Sequence, residues 1–127
     1  MSEKPRTAQH EKLDYVEFAS RNLSASKAFF EKVFSWVFTD YGPDYSAFSQ
    51  AGLEGGFYRC EDQGGIPDAS HGSALLVFYS ENLESTQGKV ERFGGVIVKP
   101  IFSFPGGRRF QFKEPGGNEL AVWSNFE

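Results

Sequence analysis

The sequence contains very few of the residues that most often carry chemistry. It has one cysteine, Cys60, and two histidines, His10 and His71, among 127 residues. A single cysteine excludes an internal disulfide and a thiolate metal cluster, and we interpret Cys60 as a small buried strand residue. Both histidines lie in segments without hydrophobic periodicity, where we expect solvated side chains. We therefore expect no Ser-His-Asp or Cys-His catalytic arrangement.

Strong charge and long hydrophobic runs are also missing. The 13 basic and 17 acidic residues give a net charge of −4, without the basic run or stripe that is typical of nucleic-acid binding. No apolar run is long enough to span a bilayer, and we identify no signal peptide. We therefore expect a cytoplasmic protein that has neither a nucleic-acid partner nor a membrane partner.

Aromatic residues, in contrast, are abundant, with 14 Phe, 5 Tyr and 2 Trp. A hydrophobic content of 39% in a chain of this length is typical of one domain with a substantial core. We expect most Phe side chains in that core. Some of the Tyr and Trp side chains are expected to line a pocket for an apolar or planar ligand.

Residues 110–123 predict two strands joined by a tight turn. Phe110 and Phe112 alternate with polar residues, which is the period of a half-buried strand. Pro115 and Gly116 then supply the backbone angles of a turn. After the turn the pattern alternates again, so that one set of side chains faces a core and the other faces water or a cavity. The second set consists of Glu119, Ala121 and Trp123.

The predicted order of elements occurs twice. Each half reads as a strand, a helix and three strands, and the two predicted helix N-caps, Asn22 and Asn82, are 60 residues apart. Neither half could bury its sheet alone, so we expect the two halves to share one core. The chain then divides into a flexible N-terminal arm, a first βαβββ module, a linker and a second βαβββ module, at residues 1–12, 13–62, 63–72 and 73–127.

A doubled βαβββ unit of this length resembles the vicinal oxygen chelate superfamily, which includes glyoxalase I, bleomycin-resistance proteins and extradiol dioxygenases. The resemblance covers residues 13–124. It is carried by Tyr-Val-Glu-Phe at residues 15–18, by the capped helix that follows, and by Glu-Pro-Gly-Gly-Asn at residues 114–118. It implies an α+β fold whose two modules form a curved mixed sheet with the helices on its outer face. It also implies a homodimer, because members of the superfamily often build their cups across paired modules or subunits.

Metal-binding members of that superfamily place their ligands on the concave face of the sheet. The resemblance puts the ligand of the first strand at Tyr15, the ligand that opens the second half at Leu75, and the closing-strand Glu at Ala121. The fourth position falls within residues 55–60, which contain no carboxylate. Divalent metals in such sites need imidazole or carboxylate donors, so we predict no metal ion and no cofactor. This depends on the register, because a slip of one residue would turn every side chain to the other face.

The expected concave face is a cup with aromatic walls and two carboxylates. The residues predicted to bind a ligand there are Tyr15, Glu17, Leu75, Tyr79, Glu119, Ala121 and Trp123. Glu17 is the best catalytic candidate, because burial between Tyr15 and Trp123 would suit its carboxyl group to acid–base chemistry. The alternative is that Glu17 faces water or pairs with an arginine.

Arg108 and Arg109 follow a Gly-Gly pair at the expected start of a strand. They are interpreted either as a guanidinium fork for a carboxylate or phosphate, or as two exposed side chains on a loop. The second interpretation is the simpler one.

Three hypotheses for function remain open. The first is a metal-free protein, similar to bleomycin-resistance proteins, that binds a small and partly aromatic molecule against Tyr15, Tyr79 and Trp123. The second is an enzyme of the same fold: a metal-dependent lyase, isomerase or dioxygenase with its ligands elsewhere, or a metal-free catalyst that uses Glu17. The third is a non-catalytic interaction module, which predicts no ligand-sized pocket.

Overall fold

The computed structural model describes residues 8–61 and 73–126, and these contain the expected strand and helix order in both halves. The first module consists of β1 (Tyr15–Ser20), α1 (Leu23–Phe34), β2 (Val37–Asp40), β3 (Tyr45–Ser49) and β4 (Glu54–Arg59). The second consists of β5 (Leu76–Tyr79), α2 (Leu83–Arg92), β6 (Val96–Phe104), β7 (Gly107–Lys113) and β8 (Glu119–Ser124). Most of the predicted arm and all of the predicted linker lie outside the described residues.

The strands form two four-stranded mixed sheets of identical topology. The first sheet has the order β1-β4-β3-β2 and the second the order β5-β8-β7-β6. In each, the first two strands run parallel and the other neighbours run antiparallel. The α+β fold with two βαβββ modules is therefore confirmed. Within the described ranges the strand pairing stops at the boundary between the modules, so the curved surface is made of two sheets.

The two helices begin in the same way because the capping sequence is repeated. The side chain of Asn22 accepts a hydrogen bond from the backbone N–H of Ala25, and that of Asn82 accepts one from Ser85, both at 3.1 Å. Each cap satisfies a backbone donor that the helix itself leaves free. The predicted helix stop after α2 is also confirmed, since Gly94 has the left-handed φ of 104°.

The helices and the sheet faces that they cover form one hydrophobic core. On α1, the ring of Phe30 packs on Phe57 of the first sheet at 5.5 Å, while Phe29 packs on Phe112 of the second sheet at 5.8 Å. Phe34, at the end of α1, stacks on Phe78 of β5 with a centroid distance of 4.1 Å. The first helix thus contacts both sheets, which explains why neither module needs a complete core of its own.

A buried polar cluster fastens the second module to the first. The carboxylate of Glu114, which is 2% exposed, accepts hydrogen bonds from the Ser26 hydroxyl, from the backbone N–H of Gly116, and from both the backbone and side-chain N–H groups of Asn118. The Asn118 side chain also donates to the carbonyl of Ala19 on β1. Position 116 must be glycine, because a Cβ there would lie 2.1 Å from the Ser26 hydroxyl. This turn, at residues 114–118, therefore does more than connect β7 with β8.

Each sheet has a second face, turned away from the helices, which we call its open face. On the first sheet, the open face carries Tyr15, Glu17, Tyr45 and Tyr58. On the second sheet, it carries Val77, Tyr79, Phe102, Arg109, Gln111, Glu119, Ala121 and Trp123. Neither helix has the length and apolar character needed to cross a membrane.

Candidate functional site

An apolar pocket of about 410 Å³ lies where the two modules meet. Its walls come mainly from β1, from both faces of the edge strand β5, and from the turn between β3 and β4. The lining residues are Val16, Phe18, Trp36, Phe48, Ala51, Gly52, Leu53, Leu76, Val77, Phe78, Tyr79 and Leu120. Trp36 and Phe48 stack on each other at 4.2 Å and form the buried end, while Val77 and Tyr79, 44% and 48% exposed, lie at the mouth.

The open face of the first sheet holds a chain of three polar side chains. The hydroxyls of Tyr15 and Tyr45 are hydrogen-bonded at 2.5 Å, and Tyr45 donates to the carboxylate of Glu17 at 3.1 Å. Tyr45 lies flat across Gly56, where a Cβ would come within 2.3 Å of its hydroxyl. Burial and the hydrogen bonds to Tyr15 and Glu17 raise the pKa of Tyr45 well above its ordinary value. Tyr45 therefore keeps its proton at neutral pH and can pass a hydrogen bond from Tyr15 to Glu17.

The open face of the second sheet has aromatic side chains around a small floor. Tyr79 and Trp123 are cross-strand neighbours and meet edge to face at 5.3 Å. The floor beside them consists of Ala121 and Gln111, which are 0% and 3% exposed although no helix covers this face. The Gln111 side chain is fixed by donating to Glu119 at 2.9 Å.

The predicted ligand-binding residues are divided between the two open faces. Tyr15 and Glu17 lie on the first sheet, whereas Tyr79, Glu119, Ala121 and Trp123 lie on the second, and Leu75 immediately precedes β5. Within the described part of the chain, no hydrogen bond or ring contact joins the two sets. Glu17 and Glu119 do line one groove of about 240 Å³ beside the junction.

Of the two expectations for Glu17, the structure matches the alternative, in which the side chain faces water, and not burial between Tyr15 and Trp123. Its carboxylate is exposed and contacts Tyr45, and Trp123 lies on the other sheet. Sequence reasoning missed Tyr45 because the partner of a strand residue comes from cross-strand register, which the pattern of β3 alone does not reveal. Phe18 and Phe48 belong to the Phe residues expected in the core, and no signal in the sequence identifies them or Trp36 as walls of a pocket.

The register allows the fourth ligand position of the metal-binding relatives to be placed. Ala121 pairs with Val77 in the second sheet, and the residue in the same relation to the first sheet is Gly56, which pairs with Glu17. The four positions that the resemblance implies would therefore be those of Tyr15, Gly56, Leu75 and Ala121. Three of these have no donor atom in the side chain, so the residue set does not fit a divalent metal ion. Elsewhere in the described ranges, no group of three His, Cys, Asp or Glu side chains is arranged to hold a metal.

Comparison with known protein families agrees with the fold of two βαβββ modules. A family model described as the Glyoxalase/Bleomycin resistance protein/Dioxygenase superfamily matches residues 12–122. A search of curated proteins gave no match.

Solved structures with this architecture include three bacterial enzymes. A glyoxalase/bleomycin resistance protein/dioxygenase family enzyme from Burkholderia phytofirmans PsJN superposes with a TM-score of 0.73 at 16% identity, covering 89% of this chain and 98% of that one. A glyoxalase-related enzyme from Fulvimarina pelagi gives 0.72 at 17% identity, covering 90% and 88%. The lactoylglutathione lyase from Agrobacterium tumefaciens gives 0.63 at 18%, covering 95% and 96%. At these identities the likeness concerns the fold alone.

Proposed function

Because the chain belongs to the glyoxalase/bleomycin resistance protein/dioxygenase superfamily, we propose that it is a small-molecule-binding protein that takes a partly aromatic ligand without a metal ion. The ligand enters the pocket between the modules past Val77 and Tyr79. The observation that supports this most is the pocket itself, whose volume of about 410 Å³ is typical of small-ligand sites.

The composition of the pocket favours an aromatic ligand. Its buried end is made by Trp36, Phe48 and Phe18, whose rings offer flat surfaces for stacking. The side chains provide one hydroxyl group, that of Tyr79 at the mouth, and this hydroxyl donates to Asn125. Binding would therefore depend mainly on burial of apolar area, with the Tyr79 hydroxyl at the entrance and the indole N–H of Trp36 as the side-chain polar groups of the lining.

A fluorescent probe tests this directly. N-Phenyl-1-naphthylamine is neutral and aromatic, and its emission rises when it leaves water. We expect saturable binding of one probe per chain. The variant Ala51→Phe puts a ring into the pocket and should weaken binding about tenfold or more. The matched control is Ala28→Phe on the exposed side of α1, which should bind like the wild type. Equal affinities for both variants would contradict the proposed site.

The absence of a metal requirement has its own test. Because three of the four positions lack donors, zinc, nickel, manganese and ferrous ions should neither raise the melting temperature nor change probe affinity, with EDTA as the reference. A stoichiometric ion that stabilises the protein would overturn the metal-free part of the proposal and favour a metal-dependent enzyme.

A second candidate function is metal-free acid–base catalysis at Glu17. The observation in its favour is the hydrogen-bond chain from Tyr15 through Tyr45 to Glu17. This chain could carry a proton between a ligand at Tyr15 and the carboxylate. Glu17→Gln keeps the shape of the chain but removes the base, so unchanged turnover of any substrate found would exclude this role.

We also propose that the protein is a homodimer. The open faces expose apolar side chains outside the lining of the pocket, such as Tyr58 and Val96, which a second copy could cover. Light scattering coupled to size-exclusion chromatography should give twice the chain mass of 14.2 kDa. A monomer at all accessible concentrations would contradict this.

A further inference from the structure

The adjacent residues Arg108 and Arg109 have different electrostatic surroundings. Arg108 binds Glu84 with both terminal nitrogens, at 2.6 and 3.3 Å, and thereby lowers the pKa of Glu84. The hydrogen bond of Arg109 goes instead to a neutral group, the side-chain oxygen of Gln111 at 3.1 Å. Within residues 8–61 and 73–126, Arg109 has no carboxylate partner.

The charge of Arg109 is also partly buried. Its guanidinium lies over the rings of Phe102 and Phe104, at 5.4 and 5.9 Å from their centroids, and its Nε is buried without an acceptor. Cation–π contacts compensate only part of the cost of withdrawing a cation from water. A buried cation in a protein is normally paired, but Arg109 is linked to a carboxylate, that of Glu119, only through the side chain of Gln111.

The neighbours of Arg109 indicate which chemical group would be attached to an anion bound by its guanidinium. Tyr79, Trp123, Arg109 and Phe102 form one cross-strand row over the open face of the second sheet. Trp123 pairs directly with Arg109, and its ring is 5.3 Å from that of Tyr79. The row therefore places the ring of Trp123 next to a cation that has no carboxylate bound directly to it, which suits a planar ring that bears an acidic group.

We propose that Arg109 and Trp123 bind the oxyanion end of an aromatic acid, with a carboxylate or sulfonate on the guanidinium and an attached ring against Trp123. The inference rests on the proposed function, because Tyr79 belongs both to the mouth of the pocket and to this row. Arg109 lies two strands from Tyr79, or about 10 Å at the usual strand spacing. To cover this distance the ligand would contain two linked rings, with its apolar end in the pocket and its anionic group on the open face.

Two probes that differ only in charge test the proposal. 8-Anilinonaphthalene-1-sulfonate has the ring system of N-phenyl-1-naphthylamine plus one sulfonate. Arg109→Gln should lower the affinity for the anionic probe about tenfold or more, because a charged hydrogen-bonded pair is lost. The affinity for the neutral probe should stay within about twofold of the wild-type value. Arg108→Gln is the matched control, because its partner is Glu84, and should leave the affinities of both probes unchanged.

Two further measurements do not depend on the fold of Arg109→Gln. Arg109→Lys, which keeps the charge but loses the planar fork, should give an intermediate affinity for the anionic probe. Raising the salt concentration should lower the affinity of the wild-type protein for the anionic probe and leave its affinity for the neutral probe unchanged. If both probes bind and respond alike to these changes, the inference is overturned and the proposed function stands. If neither probe binds the wild type, the proposed function itself fails.

Discussion

The replacement Glu114→Gln tests how the two modules are held together. Glu114 is buried in the turn at residues 114–118 and accepts four hydrogen bonds. One carboxylate oxygen accepts hydrogen bonds from the Ser26 hydroxyl and the N–H of Gly116, and the other accepts hydrogen bonds from two N–H groups of Asn118. Glutamine has the same size but only one acceptor oxygen. In one orientation the NH₂ group faces both N–H groups of Asn118, and in the other it faces the N–H of Gly116 while the Ser26 hydroxyl can turn and accept from it. At least one buried N–H therefore loses its acceptor.

The size of the effect follows from the loss of at least one acceptor. A buried donor without an acceptor costs about 1–3 kcal/mol, and part of the gain from charge-assisted bonding is lost as well. We therefore expect Glu114→Gln to lower the free energy of unfolding by about 1–4 kcal/mol. This is a large part of the usual stability of a small domain.

Urea unfolding followed by tryptophan fluorescence measures the change. The slope should stay the same while the midpoint falls. Glu91→Gln, on the exposed side of α2, is the matched control and should change the stability by less than about 0.5 kcal/mol. A loss of that small size for Glu114→Gln would show that the turn does not fasten the modules, and the reasoning would be wrong.

Two pH-dependent predictions follow from the hydrogen-bonded side chains. The pKa of Tyr45 is raised by burial and by its bonds to Tyr15 and Glu17, so its stabilising contribution is present below the ordinary tyrosine pKa and is lost as pH rises toward the folded-state value. NMR of ring-labelled tyrosine, assigned with Tyr45→Phe, should show this phenol resisting ionisation, and titration at an ordinary tyrosine pKa would contradict it. The pKa of Asp40 is lowered by its hydrogen bond to Lys27, so its contribution is present above the unfolded-state pKa and is lost as pH falls through the folded-state value. Lys27→Met should raise the pKa of Asp40 in a carboxyl NMR titration, and an unchanged value would show that the ion pair is not formed in solution.

The fold was predictable because its signals are local and repeated. Asn22 and Asn82 cap helices at the same spacing as the sequence repeat, and the alternation around Phe110 and Phe112 marked a strand with one buried face. Each of these features depends on neighbours within a few residues. The missing metal donors at Leu75 and Ala121 could be identified by position alone, once the resemblance had supplied the register.

The arrangement of the two modules was not predictable from local patterns. Phe34 contacts Phe78, and Glu114 contacts Ser26, although each pair is far apart in the chain. Such contacts depend on how whole faces pack, which the period of a single strand does not encode. For the same reason, the predicted cup is divided between two open faces, and the apolar pocket lies beside the junction, with Trp36 in its wall.

The difference between Arg108 and Arg109 was hidden for a related reason. Both follow the same Gly-Gly pair, and neither their type nor their spacing distinguishes them. The cross-strand position of Phe102 and the reach of Glu84 from α2 decide which guanidinium is paired. Both side chains, which the simpler interpretation places exposed on a loop, are thus partly buried within β7, and they differ in their partners.

A methyl NMR titration of the protein with N-phenyl-1-naphthylamine tests most directly whether the pocket between the modules binds a ligand. We expect chemical-shift changes at the pocket methyl groups of Val16, Leu53 and Leu76, and these changes should saturate at one probe per chain. The methyl groups of Val98, which lies on β6 outside the pocket lining, should not move. Saturable binding that leaves the three pocket residues unchanged, or no binding at all, would contradict the claim that the space between the modules is a ligand site.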